Sequence, residues 1–199
     1  DVQDLVEQLQ QQLLLRQTGS LTPGQTAHFL GREIHHHGNS ISLTTGTKYI
    51  TDLANDLSLQ SAKNLQTTGS VQRGHSADLE TTGEGQEEDQ GQTLYRSLVG
   101  RLQWLAGTRP DIQYAVKELA RDTNDVKPSS WRQLKHLIKY LKGTVHHRVV
   151  FSQLTMAPDA SCELEGYADA DWAGCPNSRM STSGFCLLLH GNLIHSVSR

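Results

Sequence analysis

In the stretch ELEGYADAD, Glu163, Glu165, Tyr167, Asp169 and Asp171 occupy every second position. On an extended strand they share one face. Acids in a row on one face of a sheet are hard to leave unpaired. One solution is a divalent cation held by oxygen ligands. Mg²⁺ usually takes one or two carboxylates and completes its shell with water and substrate phosphates. Two-metal phosphoryl chemistry needs further carboxylates from other elements. After Asp171 the sequence holds no Asp or Glu, so no complete two-metal site can be assembled around Asp169 from residues downstream of it.

A second pattern lies in LYRSLVGRLQWLAG. At helical spacing Arg96, Gly100, Gln103 and Gly107 point one way, and Leu98, Leu102 and Leu105 the other. Each glycine on an exposed helix face costs roughly 1 kcal/mol against alanine. That cost is tolerated where something must approach the backbone closely. With Trp104 bordering the face, an arginine, a gap and a flat ring suit a nucleic-acid groove, while ordinary helix packing through the glycines fits the same pattern. In PSSWRQLKHLIKYLKG, the cations Arg132, Lys135, Lys139 and Lys142 lie opposite the stripe Leu134, Leu137, Ile138, Leu141. Lysines so spaced can track phosphates without reading bases, and a solvated charged face looks identical. The run His35, His36, His37 is a poor metal site, because adjacent strand residues point to opposite faces. The three cysteines, Cys162, Cys175 and Cys186, follow no CxxC pattern and fit free thiols better than a zinc site or a disulfide framework.

The elements that must position these residues can be read from periodicity. A helix is expected over 1–16, with Val2, Leu5, Val6, Leu9 and Leu13 on one face. AHFLGREI reads as one short strand, HHHGNS as a hairpin connection and ISL as the returning strand. TKYITDLANDL carries the helical stripe Ile50, Leu53, Ala54, Leu57. From 61 to 93 the apolar pattern collapses into Gly, Gln, Thr and acids, a polar linker that divides the chain. Three helices follow, over 94–107, from Pro110 to Arg121, and from an N-cap at Ser129 or Ser130 to just before Gly143. The last forty residues read as three antiparallel strands in succession, the final two joined at His190-Gly191.

The 199 residues carry a net charge of −3 that hides an asymmetry. Residues 77–90 hold Asp78, Glu80, Glu84, Glu87, Glu88 and Asp89 with no base, whereas 94–150 hold eleven Lys or Arg against four Asp or Glu, an excess of 11 − 4 = 7. A basic segment in a near-neutral chain points to a polyanionic partner, or to no more than a solvated helix face. No apolar run approaches the roughly 20 residues of a membrane helix.

Together FLGREI, ISLTTGTKYITDL, YRSLVGRLQWLAGTRPDIQYAVKELAR, LKHLIKYLKGT and YADADWAGCPNSRMSTSGF resemble the C-terminal part of the Pol polyprotein of copia-type LTR retrotransposons, where a reverse transcriptase is followed by ribonuclease H. The resemblance implies an α+β fold: the end of the palm with a primer-gripping hairpin over 1–60, the linker over 61–93, a helical thumb or connection over 94–150, and the first three antiparallel strands of a ribonuclease H-like domain over 151–199. It gives Phe29, Leu30 and Gly31 the place of the hairpin that grips the primer end, and the Arg96–Gly100–Trp104 helix that of the thumb helix in the minor groove. Asp169 corresponds to the first metal-binding carboxylate of the nuclease; Asp171 belongs to the same motif without a catalytic role carried over. The implied partners are an RNA–DNA hybrid or primer–template duplex and the rest of the polyprotein. The implied cofactor is Mg²⁺, and the implied setting is intracellular, in a cytoplasmic virus-like particle or the nucleus. Against the family pattern, the YxDD tetrapeptide of the palm is absent, the nuclease keeps one carboxylate, and His195 stands where the family usually has Trp. The chain alone is therefore expected to catalyse neither polymerisation nor cleavage; the alternatives are a non-catalytic nucleic-acid-binding module and a degenerate remnant without function.

Overall fold

A computed structural model describes residues 2–15, 19–69, 85–153, 163–174 and 179–199. They form a mixed α+β fold with two antiparallel sheets. The chain opens with α1 (Val2–Gln12), ending four residues before the helix expected from periodicity. Then come β1 (Thr26–Phe29), β2 (Arg32–His36), β3 (Ser40–Thr44) and α2 (Thr47–Asp56). AHFLGREI is not one strand but a complete hairpin, with Phe29 paired to Arg32 and Leu30-Gly31 as its two-residue loop. Leucine is not a turn residue by propensity, which hid the loop in the sequence.

Helix α3 runs Gly85–Leu105 and so begins nine residues before the expected start, shortening the polar linker. A short 3₁₀ turn at Pro110–Ile112 leads into α4 (Gln113–Arg121), and α5 spans Pro128–Gly143. The N-cap of α5 is Lys127, with Pro128 at the first helical position, rather than either serine. Ser130 sits one turn in: its hydroxyl accepts the Lys127 N–H at 3.2 Å and donates to Asp122 Oδ2 at 2.7 Å. The strand β4 (Val149–Ser152), which periodicity did not reveal, pairs with β3 and completes the order β1-β2-β3-β4. The second sheet is the expected meander: β5 (Leu164–Asp171), β6 (Thr182–Leu189) and β7 (Asn192–Ser198) in that order. The Asn192 side chain ties the sheets together, accepting the Ser152 N–H at 2.7 Å.

Helices α2 to α5 supply the core. The predicted stripes are buried: Leu98, Leu102 and Leu105 from α3, Ile50 and Leu53 from α2, and all four apolar positions of α5. Elements on both sides of the polar stretch thus share one core. Residues 59–65, leading into that stretch, lie along α5. The Lys142 ammonium donates to the carbonyls of Leu59, Gln60 and Ala62 at 2.6, 2.8 and 2.9 Å. A Cβ at Gly143 would meet Asn64 Cβ at 3.1 Å and the Leu65 carbonyl at 3.2 Å, so glycine lets this segment approach the helix end closely.

The motif TRPD locks the end of α3 to the end of α5. Arg109, 3% exposed, grips Asp111 with two hydrogen bonds of 2.9 and 2.7 Å and reaches the Thr144 carbonyl at 3.0 Å and hydroxyl at 2.8 Å. The Tyr140 hydroxyl also donates to Asp111, at 2.8 Å. Burial alone would raise the Asp111 carboxyl, but the Arg109 and Tyr140 hydrogen bonds and the guanidinium charge outweigh it and hold it below the usual carboxylate range. Burial, reinforced by the bond to Asp111, pushes the Tyr140 phenol up.

Candidate nucleic-acid interface

The β1–β2 turn places Leu30 at φ 49° and Gly31 at φ 74°, both left-handed, as a two-residue turn compatible with strand twist requires. For a leucine this conformation costs roughly 1–2 kcal/mol. The side chain gains no burial in return: Leu30 is 77% and Phe29 63% exposed. An apolar tip held out at a local cost is a feature to explain by contact with something else.

Helix α3 meets the tip. A Cβ on Gly31 would lie 3.4 Å from the Trp104 ring, so turn and indole are in van der Waals contact. Trp104 in turn lies against Tyr49 of α2, with ring centroids 4.8 Å apart. A guanidinium caps each end of this aromatic pair. Arg101 stands 5.4 Å from the Tyr49 centroid, and Arg32 stands 5.6 Å from that of Trp104. The Arg101 end is fixed by an ion pair with Asp56, while the Tyr49 hydroxyl donates to the Arg101 carbonyl at 3.1 Å. Gly100, Gln103 and Gly107 are exposed on the same side of the chain segment, and space above Gly100 is open. Arg96 is exposed but anchored, its Nε donating to the Thr123 carbonyl at 2.7 Å. The structure therefore brings Phe29, Leu30, Gly31, Gly100, Gln103 and Trp104 to one surface, joined by Arg32, which sequence reasoning missed. Its signal was its place directly after a two-residue turn, visible only once AHFLGREI is read as a hairpin.

The cationic row of α5 is less uniform than its spacing. Arg132 and Lys135 are exposed; Arg132 lines a cavity of about 200 Å³ with Tyr114, Glu118 and His136. Lys139 is half-buried. Lys142 is not a surface cation free for phosphates, since its three N–H donors already serve three carbonyls.

On β5 Asp169 and Asp171 are exposed and Glu165 is half-buried, and all three are partly engaged. Asp169 Oδ1 accepts the N–H of Ala170 at 2.8 Å. Asp171 accepts the Thr182 N–H, and its carboxylate fills the space a side chain at Gly174 would need. Tyr167 donates to Glu165 Oε2 at 2.8 Å, and that hydrogen bond pushes the phenol up. Among the described residues no three His, Cys, Asp or Glu converge as metal ligands. Asp169 shares its strand face with Glu165 and Asp171. His35 and His37 share a face with rings 6.1 Å apart, bonded to Thr26 and Ser42 respectively. Cys186 is a free thiol; Cys162 and Cys175 lie outside the described residues. Among the described residues no helix is long and apolar enough to cross a membrane.

Comparison with known proteins finds several relatives. An uncharacterized mitochondrial protein of Arabidopsis thaliana is 31% identical over 171 residues, 86% of this chain. The retrovirus-related Pol polyprotein from transposon RE2 of Arabidopsis thaliana is 38% identical over 97 residues, 49% of the chain. That from transposon TNT 1-94 of Nicotiana tabacum is 27% identical over 178 residues, 88% of the chain. The chain spans 66% of the first relative's length, and 6% and 13% of the two polyproteins'. No family model and no solved structure matches it.

Proposed function

The chain belongs to the Pol polyproteins of copia-type retrotransposons, and from that premise we propose that it is the nucleic-acid-gripping segment between the two catalytic centres of such a polyprotein. In this reading the β1–β2 hairpin and α2 close the polymerase palm, α3 to α5 are the thumb or connection, and β5 to β7 begin a ribonuclease H-like sheet. The ligand is a primer–template duplex or RNA–DNA hybrid. The observation that carries the reading is the contact between the Gly31 turn and Trp104 of α3. Two motifs more than seventy residues apart meet there, and the surface they make combines exposed apolar side chains, an open glycine and cations. Such a surface can lie against sugars and bases while the cations meet phosphates. In the parent enzyme Mg²⁺ would assist both chemistries; on this reading Asp169 would be one of its ligands, the other carboxylates would come from elsewhere in the polyprotein, and the part played by this chain is binding.

Fluorescence anisotropy with a labelled RNA–DNA hybrid tests this. The affinity should fall steeply with salt. Trp104→Ala should weaken it about tenfold, the lower range for one lost aromatic contact. Binding indifferent to both salt and Trp104 would overturn the interface. Hybrid-specific cleavage in Mg²⁺ or Mn²⁺, abolished by Asp169→Asn, would overturn the non-catalytic assignment.

A further inference from the structure

We infer that Arg32 is a phosphate-binding subsite built by Trp104 and Gly107, the point at which the hairpin and α3 jointly hold the backbone of a nucleic-acid strand. The inference rests on the interface proposed above and assigns within it a residue that no sequence motif singled out.

Three observations select Arg32. First, among the described residues its guanidinium has the Trp104 ring as neighbour, 5.6 Å from Cζ to the centroid, and makes no hydrogen bond or ion pair. The other α3-side arginines are committed: Arg96 to the Thr123 carbonyl and Arg101 to Asp56. Second, the guanidinium is held in place. A Cβ on Gly107 would lie 2.8 Å from an Arg32 terminal nitrogen, so the glycine opens the space this nitrogen occupies. A stacked guanidinium keeps its charge and presents its N–H fork edge-on, the geometry that suits two oxygens of one phosphate. Third, the ring it stacks on also touches Gly31, beside the exposed Leu30 and Phe29. A strand whose sugars lie on that tip would bring its next phosphate towards Arg32.

The test compares the salt dependence of hybrid binding for the wild-type chain, Arg32→Gln, Arg32→Lys and Gly107→Ala. Glutamine keeps a planar group over Trp104 without the charge. One phosphate contact contributes about 0.9 to the slope of log affinity against log salt. Over a fourfold rise in salt the wild type should then lose about 3.5-fold more affinity than Arg32→Gln, from 4 raised to about 0.9. Arg32→Lys should restore the slope. Gly107→Ala displaces only the flexible end of one side chain, so it should leave the melting temperature unchanged while weakening binding several-fold. A purely structural Arg32 predicts the opposite set: altered melting with an unchanged slope. If the wild type binds steeply and Arg32→Gln keeps its slope, the Arg32 subsite falls and the interface stands. If the wild type shows no salt-dependent binding, both fall.

Discussion

Replacing Asp111 by alanine should destabilise the chain by about 3 kcal/mol. The substitution leaves Arg109, 3% exposed, without its counter-charge and deprives the Tyr140 hydroxyl of its acceptor. Breaking a buried ion pair by removing one partner costs roughly 3–5 kcal/mol. The lower end applies because Asp111 is 33% exposed, so water reaches the vacated position. Arg109 also keeps its bonds to Thr144. For a chain of this size about 2–4 °C of melting temperature accompanies each kcal/mol, giving a fall of about 6–12 °C. Thermal melts followed by tryptophan fluorescence suit the measurement, since Trp131 packs edge-on against buried Tyr95 with centroids 5.3 Å apart. The pH dependence supplies an independent check. The Asp111 carboxyl is held below its ordinary range, so its contribution is complete above the ordinary carboxylate pKa and is lost as pH falls through the lowered folded value. Asp111→Asn should therefore flatten the acid limb of the stability curve relative to wild type. If Asp111→Ala melts within about 1 °C of wild type and Asp111→Asn leaves the acid limb unchanged, the TRPD motif is not the latch between α3 and α5.

Two further substitutions probe how the helices are fastened. Lys142→Met removes three charge-assisted hydrogen bonds, but the freed carbonyls can regain water; a loss of about 2 kcal/mol is expected, with faster proteolysis at 59–65. Ser130→Ala removes the hydroxyl that serves both Lys127 N–H and Asp122, and denaturant melts should show a loss of about 1 kcal/mol.

The elements legible in the sequence were those whose signal is local. Helical stripes in α2, α4 and α5 gave their buried faces, and His190-Gly191, at φ 49° and 73°, marked the β6–β7 turn. What stayed hidden depends on partners distant in the chain. Nothing in VVFS announces that β4 pairs with β3 a hundred residues earlier. The β1–β2 turn was masked because Leu30, exposed at the tip, is not a turn residue by propensity. The spacing of Lys142 predicts a solvated cation, yet its length lets it cap three carbonyls on the 59–62 segment. The candidate interface was half visible: its α3 face could be drawn from Arg96, Gly100, Gln103 and Trp104, and the hairpin tip came with the family resemblance. Their meeting at the Gly31–Trp104 contact, and the Arg32 guanidinium beside it, belong to the tertiary fold alone.

The most direct measurement of the central claim is amide hydrogen exchange of the whole chain with and without saturating RNA–DNA hybrid. The account predicts new protection concentrated at residues 28–33 and 100–108, with the exposed face of α5 around Lys135 and the β5 acids unchanged. Protection confined to α5, or none at all at the Gly31–Trp104 junction, would contradict it.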